Sequence, residues 1–188
     1  MASGESRHLL STSCPQPPHI HSHLPEEHGT IDKPYAVSAQ EREWYYYGVT
    51  PDGDQPHLLY RTSSKDDPWI PSSSIDKSNL PTKHAYPANN TKLGKAWPTL
   101  GRQIADLVRS KVKKSYSINV ARFMNVPPGE DSEKGVLGPA VIWIGVDPKL
   151  NMTSDDAHEV SQSILAVLAE HDIEDAQVEW NESVVVSL

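Results

Sequence analysis

The stretch from Gly138 to Leu188 constrains this chain most, because a short apolar run, a punctuated amphipathic segment and a second apolar run follow one another there. Val141, Ile142, Trp143, Ile144 and Val146 are nearly uninterrupted and stop at Asp147-Pro148, as in a strand covered by other structure. That segment predicts a central strand. Thr153 or Ser154 then offers a hydroxyl to the free amides of a helix start, with Asp155 and Asp156 in the first turn, where the helix dipole favours negative charge. Ala157, Val160, Ile164, Val167 and Leu168 recur at steps of three and four and make one apolar stripe. From Ala176 to Glu182, Val178 and Trp180 alternate with Gln177 and Glu179, the pattern of a half-buried strand. Together the three pieces predict a parallel strand, helix, strand crossover.

Upstream, Leu100, Ile104, Leu107, Val108 and Val112 trace a second helical stripe, with Pro98 in its first turn and its end near Lys114. Ile118, Val120, Phe123 and Met124 mark a strand over Ser117–Asn125, which a Pro-Pro-Gly loop returns antiparallel to the central strand. Earlier still, Trp44–Val49 and His57–Thr62 flank Asp52-Gly53 and predict a hairpin. With Leu58–Thr62 as the opening strand, the order is βαββαβ. This predicts an α+β fold, a ferredoxin-like two-layer sandwich with two helices on one face of a four-stranded antiparallel sheet.

Two segments lack any apolar period. Residues 1–43 are rich in Ser, Pro and His and are expected to form a flexible tail, because they offer too little apolar surface to offset the entropy of ordering. Residues 63–96 read as a long irregular strap or loop, anchored by Trp69, Ile70 and Tyr86, within a single α+β domain over residues 44–188.

No Gly-rich phosphate loop, paired CxxC, HExxH or Gly-x-Ser-x-Gly is present, so the sequence signatures of common catalysts and nucleotide binders are missing, and no cofactor is expected. In the tail, His19, His21 and His23 form a candidate metal cluster, set against a solvated tail whose ligands no fold holds in place. Arg122, His158 and Glu182 are the candidate lining of a binding or catalytic cleft. Arg102, Arg109, Lys111, Lys113 and Lys114 give the second helix a basic face. It is either a phosphate groove or a solvated face that complements the acidic C-terminal unit, whose ten acids stand against the single Lys149. A net charge of −8 disfavours general nucleic-acid binding, since anionic surfaces repel at short range. The longest apolar runs are too short to span a bilayer and MASGESRHLL lacks a secretory apolar core, so an intracellular location, cytoplasmic or nuclear, is expected.

GPAVIWIGVDP and DAHEVSQSILAVLAEHDIEDAQVEWNESVV resemble a module that recurs in uncharacterised fungal proteins, and WYYYGVTPDGDQPHLLYRTSSKDDPW with LGRQIADLVRSKVKKSYSINVARF are similar to its upstream part. The resemblance covers roughly Trp44 to Val186. In such relatives the module often precedes a trypsin-like serine peptidase region. The Gly-Asp-Ser-Gly segment of a peptidase is absent from this sequence, so no peptidase residue carries over. A core without a catalytic cluster and a surface divided into basic and acidic regions predict a non-catalytic accessory or protein-binding module with a protein partner, a stand-alone version of the domain that in such relatives flanks a peptidase. A small-molecule or enzymatic cleft near Arg122, His158 and Glu182 is the alternative.

Overall fold

The computed structural model describes residues 34–69 and 76–183. It opens with helix α1 (Ala39–Trp44), which Ser38 caps by accepting the Glu41 amide 3.1 Å from its hydroxyl oxygen. The aromatic run expected as the first arm of a hairpin instead ends this helix and continues as turns through Tyr47. The cap and the helix-favouring residues that follow it outweigh the β propensity of the tyrosines, whose rings find burial elsewhere. Strand β1 (His57–Arg61) therefore has no hairpin partner and pairs antiparallel with the last strand of the chain.

The described part of the expected strap is about half regular, and its expected anchor Ile70 lies outside the described residues. It holds short 3-10 turns at Thr62–Ser64 and Lys77–Asn79, strand β2 (Thr82–Pro87) and the start of helix α2 (Lys92–Lys111). β2 escapes a hydrophobicity reading because its buried residue is Lys83, while Ala85 and Tyr86 are exposed. Thr91 caps α2, accepting the Gly94 amide at 3.0 Å, so the helix begins two turns ahead of the point that Pro98 marks in the sequence. Pro98 therefore sits inside the helix and not in its first turn, and leaves the Gly94 carbonyl without its i+4 amide donor. Gly94 has a packing reason of its own: a Cβ there would stand 2.1 Å from the Ala88 carbonyl oxygen.

Strands β3 (Tyr116–Val126) and β4 (Val136–Val146) pair antiparallel, with Ile118 opposite Ile144. Helix α3 (Ser154–Glu170) then crosses to strand β5 (Ala176–Glu182), which lies parallel to β4 with Ile144 beside Trp180. The crossover expected from the sequence is thus present. The architecture is mixed α+β, a five-stranded mixed sheet in the order β1-β5-β4-β3-β2 with three helices. It departs from the ferredoxin-like expectation, because β4 and β5 are direct parallel neighbours instead of being split by the opening strand β1, which lies at the edge beyond β5, and because β2 adds an unexpected fifth strand at the opposite edge.

The sheet has two unlike faces. On one, Ile142, Ile144, Val146, Val178 and Trp180 meet Leu100, Ile104 and Val108 of α2 and Val160, Ile164 and Leu168 of α3 in the main core. Trp180 is fully buried and donates its indole N–H to Ser161 Oγ at 2.8 Å, so the one polar atom of the ring is satisfied within apolar packing. α3 ends with Asp172 in the left-handed region (φ 56°), the Ile173 amide bonding Leu168 O at 3.0 Å and the Asp172 amide bonding Ala169 O at 3.1 Å. This closure turns Ile173 into the core and aims the chain into β5. On the opposite face lie Val141, Trp143, Phe123, Asn125, Gln177, Glu179, Asn181 and Lys83, under the turn that carries Tyr45 and Tyr46.

Candidate functional site

That second face holds the functional candidate. Strand alternation places Gln177, Glu179 and Asn181 on one side of β5, and register sets Glu179 beside Trp143 and Lys83 beside Asn125. A strand reading takes such polar positions as solvent-facing, yet Glu179 and Asn181 are each only 2% exposed, because α1 and the tyrosine turn close over them. Glu179 is held from above: Tyr45 and Tyr46 each donate a hydroxyl to one of its carboxylate oxygens at 2.7 Å. Burial first, then the negative charge of Glu179, pushes both tyrosines well above the ordinary phenol value, so they remain donors at any physiological pH. Arg61, 1% exposed, closes one side, donating from Nε to Glu41 at 2.7 Å and from Nη1 to Ser63 Oγ at 3.0 Å.

Lys83 is the group without such support. It is 9% exposed, and its ammonium nitrogen stands 3.2 Å from the centre of the Tyr45 ring and 5.7 Å from the Tyr46 and Phe123 rings. Its backbone N–H donates to the Tyr47 carbonyl at 2.7 Å, but among the described residues its ammonium has neither an ion pair nor a hydrogen-bond acceptor. Burial, with Arg61 adding to it and Glu179 opposing it, pulls its pKa down to about 8. The nitrogen has three donor positions, and no protein oxygen among the described residues uses them.

A cavity of about 320 Å³ lies against these groups, lined by Lys83, Arg61, Glu179, Tyr45 and Asp67 together with the apolar Trp44, Trp69 and Phe123. The charges lining it are Lys83 and Arg61 against Asp67 and Glu179, and Glu41, paired with Arg61 from behind, adds a third carboxylate nearby. Such a space admits a small, mostly flat molecule bearing one oxygen acceptor.

The residues singled out in the sequence lie elsewhere. Arg122 donates from Nε to the Gly138 carbonyl at 2.7 Å and braces the start of β4. Glu182 accepts the Arg42 guanidinium. Along β4, Arg122 stands beside Ala140 and Glu182 beside Val146, six residues apart or about 20 Å at about 3.3 Å per residue, so they do not share a cleft. His158, on α3, takes part in a separate cluster: its Nδ1 is 2.9 Å from the Tyr60 hydroxyl and its ring stacks on Tyr35 at 3.6 Å.

On the basic face, Lys111 lies 2.8 Å from Glu159 and 3.5 Å from Asp156, and Arg109 pairs with Asp106 on its own helix. Lys113 donates to the Ser110 carbonyl at 3.2 Å, and Arg102 and Lys114 are exposed. The face therefore complements α3 at Lys111 and caps its own helix end at Lys113. His19, His21 and His23 lie outside the described residues. Among the described residues no group of three metal-ligating side chains converges, and no helix is long and apolar enough to cross a membrane.

The sequence reading passed over Lys83, Arg61 and Glu179. The one available signal was the polar row Gln177, Glu179 and Asn181 combined with three adjacent tyrosines, which has meaning only once α1 is known to fold over β5. Comparison with family models, curated proteins and solved structures finds no match.

Proposed function

We propose that this domain binds a small uncharged molecule that presents an oxygen acceptor to Lys83. The observation that carries the reading is Lys83 itself, an almost fully buried ammonium resting on the Tyr45 ring beside a 320 Å³ cavity, with no protein acceptor for its N–H bonds among the described residues. The ammonium opens onto the cavity with its donor positions free of protein acceptors among the described residues, so a ligand carbonyl or hydroxyl can take a charge-assisted hydrogen bond there. A ligand carboxylate would stand near Glu179 and Asp67, with Arg61 already paired to Glu41, so the lining favours an uncharged ligand. The aromatic walls favour a flat ring.

Benzamide is a suitable probe, a ring with one strong acceptor. At about 0.4–0.5 kcal/mol for each of about nine heavy atoms it should bind at about 1 mM. Titration followed by amide chemical shifts should give saturable changes at Lys83, Phe123, Asn125 and Glu179, weakened about tenfold or more in Lys83→Met. Non-saturable changes, or changes scattered over the surface, would remove the reading.

A second reading, the protein-docking module expected from a core without a catalytic cluster, draws on exposed apolar side chains at the β3–β4 hairpin: Val136 at 70% exposure, Leu137, and Tyr86 on the adjacent edge strand. Cross-linking in a native extract should place partner contacts at these residues, and contacts confined to other surfaces would count against it.

A further inference from the structure

Resting on the binding reading above, we infer that the ligand class is an aldehyde or ketone and that Lys83 condenses with it to form an imine. Three features of the site carry this. The amine is desolvated, with aromatic rings on the sides given by Tyr45, Tyr46 and Phe123 and no acceptor holding its protons. A second cation, Arg61, stands close enough to disfavour the ammonium, the arrangement that activates lysine nucleophiles. The cavity beside the nitrogen has an apolar wall for a carbonyl substituent, and the desolvation that disfavours the ammonium favours the neutral imine that replaces it over Tyr45.

The chemistry balances without any other reactant. The lone pair of neutral Nζ adds to the carbonyl carbon, and transfer of a proton from nitrogen to oxygen gives a carbinolamine. The nitrogen lone pair then forms the C=N bond as the hydroxyl leaves, and the second nitrogen proton departs with it as water. One amine and one carbonyl compound yield one imine and one water. With its pKa near 8, Lys83 is about one-quarter neutral at about pH 7.5, against about 0.1% for a solvated lysine, a difference on the order of a hundredfold. The lower basicity that frees the lone pair also weakens it as a nucleophile, so the net advantage over exposed lysines is roughly tenfold.

The test treats the full chain with benzaldehyde and cyanoborohydride, which reduces an imine to a stable secondary amine, and locates the adduct by peptide mass mapping. Lys83 should be modified roughly tenfold faster than any other lysine at about pH 7.5. Adducts spread over the exposed lysines with Lys83 no faster than they are would overturn the inference. Benzamide resembles benzaldehyde in shape but does not condense with amines, so the two probes separate the claims. Saturable benzamide binding with Lys83 left unmodified by benzaldehyde ends the imine and leaves the binding site, whereas failure of both probes ends both.

Discussion

The Lys83 ammonium sits 3.2 Å above the centre of the Tyr45 ring, and the hydroxyl of that same tyrosine is bound to Glu179 at 2.7 Å. One side chain thus separates a buried cation from a buried anion. The cation rests on the electron-rich face of the ring, the anion accepts from its polar tip, and the two charges share no direct bond among the described residues. This arrangement keeps Lys83 available to a ligand.

Burying Lys83 in this way weakens the fold, with a sign that follows from linkage. Its folded pKa, about 8, lies below the unfolded value near 10.5, so the unfolded chain binds more protons between these limits. Stability from this group is present above the unfolded value and is lost as pH falls through about 8. Below that the penalty reaches about 3 kcal/mol, the net of burial and of every contact the ammonium makes, Tyr45 included. Lys83→Met should therefore be more stable than the wild type at pH 7 by about 3 kcal/mol, with the advantage shrinking towards pH 9.5. Denaturant unfolding across that range measures it, and a variant less stable than wild type at pH 7 would contradict the account.

Glu179 opposes the depression of Lys83 and also organises both tyrosines. Glu179→Gln keeps the shape but removes the charge and one acceptor, so it should cost about 1–3 kcal/mol. It should also move the Lys83 titration below its wild-type midpoint. An upward or absent shift in the lysine resonance would mean that the two groups do not sense one another.

On the other face, Ser161 accepts the Trp180 indole proton and donates to the Ala157 carbonyl at 2.7 Å. Ser161→Ala leaves that indole without a partner in apolar surroundings and should lower stability by about 1–3 kcal/mol without disturbing the pocket. Thermal unfolding gives the first result, and unchanged benzamide binding gives the second.

Asp172 adopts a left-handed conformation that glycine enters at lower cost. Asp172→Gly should stabilise the domain by about 0.5–1 kcal/mol, a gain visible as a higher melting temperature. Destabilisation would show that the aspartate side chain contributes more than its backbone strain removes.

The elements whose burial is apolar were legible in the sequence. The β4–α3–β5 unit follows from Ile142, Ile144, Val160, Ile164, Val178 and Trp180, because a one-sided stripe has one natural burial mode. β3 and its antiparallel pairing with β4 were legible for the same reason. β2 was not, since its inward residue is a lysine and its exposed residues include an alanine and a tyrosine, the reverse of the usual pattern. The pocket was illegible because it is made of polar residues from β5 and β2 covered by tyrosines far away in the chain, a burial that depends on α1 turning back over the sheet. Arg122, His158 and Glu182 were singled out by residue type alone, and residue type does not report that register sets Arg122 and Glu182 at opposite ends of one strand.

Selective ¹³C labelling of the lysine ε-carbons, with the Lys83 signal assigned by its loss in Lys83→Met, tests the central claim most directly. The account predicts a titration midpoint near 8 that responds to benzamide. A midpoint at the ordinary lysine value of about 10.5, indifferent to the probe, would show a solvated amine and contradict a desolvated ligand-facing lysine on this sheet.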